Sequence, residues 1–334
     1  MKNFTYKFIS LFALLFTMSF TISGQEEIHT QTLSFPQGWS IFSLNIIPDE
    51  PDLHLMFDDI SEDILIIQDY TGQAYLPEFE FNGIGQIDVN EAYVIKTNNA
   101  CSVNITGELI DPEDIVINAP NNFNLIPYLR TDSISPQCIP NIFWLKDSKG
   151  NIFVPGIIDQ IGSLIPGEGY LSGPTGFSYD SDSQDCQVSI EFTESTSENL
   201  PSINTGVQNF TLLLSYETWT TPPPQNSDIG IYTSSGLLVG SSRITSPYTA
   251  VTIYGDDSST NFIDGCLLGE VLSIKIHTDD NQVIDVPIGN NLIYNGPGGY
   301  ISWPAQFLNW SQNDVQISGC TDELGLNYNA DASI

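Results

Sequence analysis

The sequence predicts an all-β protein: a small β module written twice in tandem, followed by an antiparallel β-sandwich. Three observations carry that prediction. Short runs rich in β-branched and aromatic residues recur along the chain, punctuated by Gly, Asn, Asp and Pro. Only one stretch, "PDLHLMFDDI" (51–60), has a helical pattern, with Pro51 suited to a first-turn position. Finally, residues 35–175 contain one unit of about 80 residues twice over.

The duplication is visible in matched residues. "QGWSIFSL", "DYTGQAYLPEF" and "NGIGQIDVNEAYVIKT" in the first copy correspond to "NNFNLIPYL", "KDSKGNIFVPGII" and "DQIGSLIPGEGYLSG" in the second. Trp39 then matches Phe123, Gly72 matches Gly150, Tyr75 matches Phe153, Gly85 matches Gly162, and Tyr93 matches Tyr170. These residue types set turns and fill cores, so Trp39, Phe123, Tyr93 and Tyr170 are expected in the interior. None of the matched positions is an obvious catalytic group, which points to a scaffold or binding role.

The first copy is placed at 30–110, with strands in "QTLSFP", "WSIFSLNII", "DILIIQD", "EAYVIKT" and "SVNITGELI". The helical stretch is expected to be an insertion, because its counterpart in the second copy (111–178) is shorter. That copy contributes "DIVINA", "IFWLKD" and "NIFVPGI". Residues 179–204, rich in Ser, Asp and Glu, read as an acidic linker carrying one strand, "QVSIEF". The sandwich follows at 205–317. Within it "IYTSSGLLVG" and "IKIHTDDNQVIDV" read as hairpins turned by Ser-Gly and Asp-Asn.

Residues 1–24 have the layout of a secretory signal peptide: Lys2 and Lys7, an apolar run to Phe20, then small residues before Gln25. The run is short for a membrane span and no later segment is apolar enough for one, so the reading is export without a transmembrane segment. Removing both lysines takes the formal charge from -33 to about -35. Such a charge repels phosphate backbones and anionic headgroups, which argues against nucleic-acid partners. Five cysteines in an exported chain favour disulfides, and Cys101, Cys138, Cys186 and Cys266 can pair among themselves in three ways.

Two constellations are candidate sites. "GDDSSTNFIDGCLLGE" places Asp256, Asp257, Asp264 and Glu270 in one loop, and calcium takes six to eight oxygen ligands of this kind. The competing reading is a solvated acidic loop held by Asp and Asn turn chemistry, without an ion. A glycosidase carboxylate pair on this loop is disfavoured, since that chemistry needs carboxyls facing across a cleft. Among the aromatics, Trp219 precedes the stiff "TTPPPQ" loop, and Tyr300 and Trp303 lie close together. Flat rings beside amide side chains can hold sugars, so these three are candidate ligand-binding residues; the alternative for Tyr300 and Trp303 is a place in the sandwich core. No Gly-x-Ser-x-Gly elbow, His-Glu-x-x-His or phosphate-binding Gly loop occurs, and the three histidines are scattered.

Gly38–Trp39 and Gly162 with Gly169–Tyr170 carry a resemblance to a duplicated β module of secreted Bacteroidota proteins. The first copy departs from the pattern, with Glu91–Ala92 where the second has Glu168–Gly169. Residues 205–317 resemble another β-sandwich of secreted bacterial multidomain proteins. The stretch "GCTDELGLNYNADASI" within 318–334 resembles the first part of a short surface-protein repeat whose closing Cys would pair with Cys320. These resemblances imply a surface or extracellular protein sorted by type IX secretion. The expected role is non-catalytic binding or adhesion with a polysaccharide or other cell-surface ligand. The alternative is the carbohydrate-binding accessory region of a secreted polysaccharide-degrading enzyme.

Overall fold

The computed structural model describes residues 28–179, 196–203, 206–245, 247–289, 291–304 and 307–308. Strands account for 42% of the described residues and helix for 8%, so the protein is all-β, built from several mainly antiparallel sheets. The signal-like segment, the "QVSIEF" run and the 318–334 motif lie outside the described residues. Among the described residues no helix is long and apolar enough to cross a membrane.

The first copy comprises β1 (His29–Phe35), β2 (Gly38–Phe42), β3 (Ile46–Pro48), α1 (Leu53–Met56), β4 (Ile64–Gln68), β5 (Ala74–Leu76), β6 (Phe81–Asn82), β7 (Tyr93–Thr97) and β8 (Cys101–Leu109). The second comprises β9 (Val116–Ala119), β10 (Asn124–Pro127), β11 (Leu145–Lys146), β12 (Ile152–Val154), β13 (Ile158–Asp159), β14 (Gly169–Ser172) and β15 (Thr175–Ser178). One five-stranded sheet runs β2-β7-β4-β5-β6 and the other β10-β14-β11-β12-β13. Matched in chain order, the two strand orders are the same. In each copy the first strand also pairs antiparallel with the last, β1 with β8 and β9 with β15. The additions in the first copy are β3, on the edge of β8, and α1. The turn starts at Asp52, whose Oδ1 accepts the N–H groups of His54 (2.9 Å) and Leu55 (3.4 Å). The N-cap is therefore this aspartate, and Pro51 stands one residue before it.

The repeated residues do the same local work twice. Asp69 Oδ1 accepts from the backbone N–H of Thr71 and Gln73, and Asp147 Oδ1 accepts from Lys149 and Asn151. Both turns close on a glycine of positive φ, Gly72 at 86° and Gly150 at 82°. The buried Tyr93 hydroxyl takes the N–H of Asp88 (2.7 Å), and that of Tyr170 takes the N–H of Ile165 (2.8 Å), five residues back in each case. The other matched pair is not in the core. Trp39 is only half-buried and Phe123 is 39% exposed: Trp39 is at the start of edge strand β2, and Phe123 lies just before edge strand β10.

The third unit contains β16 (Asn209–Ser215), β17 (Asp228–Tyr232), β18 (Leu238–Arg243), β19 (Tyr248–Tyr254), β20 (Ser273–His277), β21 (Val283–Val286) and β22 (Tyr300–Ser302). Its strands form one hydrogen-bonded sheet, β21-β20-β17-β18-β19-β16-β22, antiparallel except for the β16–β22 pair. Both hairpins expected from sequence are present, β17–β18 turning at Gly236 (φ 86°) and β20–β21 at Asn281 (φ 62°). Alternate residues of every strand from β16 to β21, among them Leu212, Ile229, Val239, Ile253, Ile274 and Ile284, point into one apolar core.

The "FTLLLS" run is buried on both faces for a reason. Leu212 and Leu214 enter that core, whereas Leu213 faces the other way, into a cluster shared by all three units. Ile41 and Val94 of the first copy, Trp144, Ile152 and Leu171 of the second, and Leu213 and Ala250 of the third pack together there. At the contact between the copies, a Cβ on Gly169 would lie 2.6 Å from the Ala92 methyl and 2.8 Å from Ile41 Cγ2. This is where the sequences of the two copies diverge, and the divergence is steric.

The cysteines depart from expectation. Cys138 is disulfide-bonded, while Cys101 and Cys266 are free thiols. They lie in different units, Cys101 at the start of β8 and Cys266 in the core of the third. Burial pushes the Cys266 thiol up to about 12, with Glu270 adding to the effect.

Candidate binding groove

Where the three units meet they enclose a groove of about 1020 Å³. Its first wall is the β1–β2 turn and the end of β7: Gln37, Trp39, Lys96 and Asn98. A second wall is the β11–β12 turn, with Ser148 and Lys149, and a third is the loop after β19, from Gly255 to Asp264.

The groove is organised around Asp257. Its Oδ2 accepts from Trp39 Nε1 (2.7 Å) and Lys96 Nζ (2.6 Å), and its Oδ1 accepts from Ser259 N (3.0 Å) and Oγ (2.7 Å). The Lys96 ammonium also donates to Ser259 Oγ and lies 5.4 Å from the centre of the Trp39 ring. Burial alone would raise the Asp257 carboxyl, but hydrogen bonds from Lys96, Ser259 and Trp39 outweigh it and hold it at about 2. The carboxylate is thus a fixed anchor for the indole, and the ring stands at the groove wall with its N–H already engaged.

The remaining acidic residues are used by the loop itself. Asp264 Oδ1 accepts the N–H of Asp257 (3.0 Å), and Asp256 Oδ1 accepts the N–H of Asp264 (2.9 Å). Glu270 does not join them. Its carboxylate accepts from Ser234 Oγ (3.0 Å) and from the N–H of Leu267 (3.1 Å). Among the described residues no three His, Cys, Asp or Glu side chains converge as a metal-binding group. An ammonium at 2.6 Å also occupies the Asp257 oxygen that a cation would need. The donor set of this loop matches Asp and Asn turn chemistry.

The three aromatic candidates fall in three different places. Trp219 is only 5% exposed and lies inside the core of the third unit, bridged to Leu308, so its ring offers no face to a ligand. The "TTPPPQ" loop begins after the chain has already turned inward through a capped 3₁₀ turn at Tyr216–Thr218. Trp303 packs partly on that same core and lies tilted against Phe307, with centroids 4.7 Å apart and planes 41° apart. Tyr300 projects from the opposite face of its sheet, towards the second copy. Trp39 and Lys96, which matter most in the groove, carried no motif in the sequence. The one signal was the "GW" dipeptide at the start of a strand.

Histidines play no part in the groove. His277 Nε2 shares a 2.8 Å hydrogen bond with the Tyr232 hydroxyl, and burial lowers its pKa, with Lys275 adding to that and Asp228 opposing it. His54 contacts the Tyr75 hydroxyl at 3.5 Å.

Compared with known proteins, the chain matches no family model and no curated protein shows significant similarity to it.

Proposed function

We propose that this chain is an exported, non-catalytic binding protein of the cell surface or extracellular space, whose ligand is a polysaccharide lying in the three-unit groove. The observation that carries the reading is the Trp39 ring in the groove wall, anchored there by Asp257 and Lys96. Around it are Gln37, Asn98 and Asn261, whose amides both donate and accept hydrogen bonds, and the exposed ring of Phe262. Rings for stacking and amides for edge hydrogen bonds are the groups that saccharide recognition requires. Two of the six basic side chains beyond residue 24, Lys96 and Lys149, also line this groove, in a chain whose overall charge is strongly negative.

In this reading calcium has no role in the 255–264 loop, because backbone N–H groups and Lys96 already serve its carboxylates. Thermal melts with and without EDTA at matched ionic strength should coincide, and a lower melting temperature in EDTA would restore the cation. The binding claim is tested by applying the full chain to a glycan array. Binding to at least one polysaccharide, abolished by Trp39→Ala, is expected. No binding by the unmodified chain, or binding indifferent to Trp39→Ala, would overturn it.

A further inference from the structure

A second concavity lies on the junction of β22 with the second copy, lined by Asn122, Phe143, Trp144, Pro174, Gly299, Tyr300 and Ser302. Its volume is about 330 Å³, at the small end of the range for ligand sites. Trp144 forms its floor. The residue is 4% exposed, yet among the described residues its indole N–H has no hydrogen-bond partner. The fully buried unpaired side-chain polar atoms among the described residues are Ser172 Oγ and Ser227 Oγ; the Trp144 N–H is not one of them, so it reaches solvent and is free to donate.

The setting of that indole is specific. A Cβ on Gly173 would fall 2.5 Å from Trp144 Nε1, and a Cβ on Gly299 would fall 2.8 Å from the same atom. Two glycines therefore let the backbone close on the N–H edge of the ring, and one of them belongs to the wall of the cleft. What remains open of that edge is beside Gly299, in the lining of the cleft. Above the floor, Phe143 is 59% exposed, with its ring centroid 6.5 Å from that of Tyr300 and the planes 31° apart. Tyr300 packs partly on the shared apolar cluster, whereas the exposed Phe143 ring belongs to none of the core clusters.

We propose that this cleft is a second saccharide site, which takes one neutral pyranose ring. The indole N–H of Trp144 donates to a ring or hydroxyl oxygen, and the C–H face of the sugar lies on Phe143. The amide of Asn122 and the hydroxyls of Tyr300 and Ser302 meet the rim of sugar hydroxyls. No charged side chain lines the cleft, so an anionic ligand finds no counter-charge there and is repelled by the net charge of the chain. The site is separate from the Trp39 groove, and either can hold or fail alone.

The indole N–H resonances of the full-length, ¹⁵N-labelled protein test this, with Trp39 and Trp144 assigned by Trp→Phe replacement. Neutral hexasaccharides (β-1,4-glucan, β-1,3-glucan, β-1,4-mannan and β-1,4-xylan) are titrated to millimolar concentration, alongside a proline decapeptide as a competing aromatic-groove ligand. The expected result is movement of the Trp144 signal with at least one hexasaccharide, and an affinity about tenfold weaker in Phe143→Ala. Phe143 is largely exposed, so this variant is expected to fold. A Trp144 signal that no saccharide moves, that moves only with the peptide, or that moves equally in Phe143→Ala overturns the proposal. Movement of Trp39 alone would leave the groove reading intact and remove the cleft. Movement of Trp144 alone would do the reverse.

Discussion

Lys96 and Asp257, from the first and third units, meet at 2.6 Å in the wall of the groove. Asp257 sits at about 2, below its ordinary value of 3.8, so its contribution to stability is fully present above pH about 3.8 and is lost as pH falls towards 2. Replacing Lys96 by Met leaves a half-buried carboxylate with fewer donors and is expected to cost about 1–3 kcal/mol at pH 7. The difference between the two proteins in urea melts should shrink between pH 4 and about 2. A gap independent of pH would show that the pair does not link the units.

Gly72 and Gly150 occupy the same turn in the two copies, with nearly the same φ, but only one of them touches another unit. A Cβ on Gly72 meets nothing within 4 Å, whereas one on Gly150 would lie 2.6 Å from Thr252 Cγ2 and 2.9 Å from the Tyr254 hydroxyl. Gly72→Ala should therefore cost only the left-handed backbone term, about 1–2 kcal/mol. Gly150→Ala should cost about 1–3 kcal/mol more, because it also displaces β19 from the β11–β12 turn. Denaturant midpoints of the two single variants check the ordering.

Gly169→Ala is expected to destabilise the protein by about 1–3 kcal/mol through overlap with Ala92 and Ile41. Adding Ala92→Gly should recover part of the loss, since one of the two clashing groups is then removed while Ile41 stays. A double-mutant cycle measures this as a coupling between the residues. Additive effects would mean that the copies do not meet at these positions.

Lys146 is completely buried and donates to Asn209 Oδ1 (3.0 Å) and to the Gly298 carbonyl (3.1 Å), with no carboxylate among its hydrogen-bond partners. Desolvation drives its pKa well below the ordinary value of 10.5. Over the range between its folded and unfolded pKa values the unfolded chain binds the extra proton, so this residue makes stability rise with pH. Lys146→Met should flatten that dependence on the alkaline side, below the ordinary lysine value of 10.5, as read from melting temperatures across a buffer series. Equal slopes in the two proteins would mean that the lysine is charged in the folded state.

Much of the β framework could be read from the chain because its signals are local. Tyr93 and Tyr170, the glycines at 72 and 150, and the turn residues Gly236 and Asn281 act within a few residues of themselves. The site was less legible because it depends on distant contacts. Trp39 looked like a core residue because it matches Phe123, and nothing near it in the chain announces an aspartate 218 residues away. For Trp219 the reason is the opposite: its proline-rich neighbours suggest an exposed loop, but it is buried and bridged to Leu308, far along the sequence. Lys146 and Trp144 sit in a run that reads as an ordinary strand. The adjacent glycines in "NGPGGY" were the one sequence hint that a backbone must approach something closely there.

The contact between Ala92 and Gly169 also explains what joining the two copies in one chain permits. Two separate, identical subunits docked in this way would bring position 92 against its own duplicate. Two methyls would overlap there and two glycines would leave a gap, because a residue that meets its own equivalent across a two-fold axis faces an identical side chain. In a single chain the two sides are encoded independently, so one can keep the methyl and the other can give way. The covalent link thus allows a tightly packed seam that a homodimer of this module could not form.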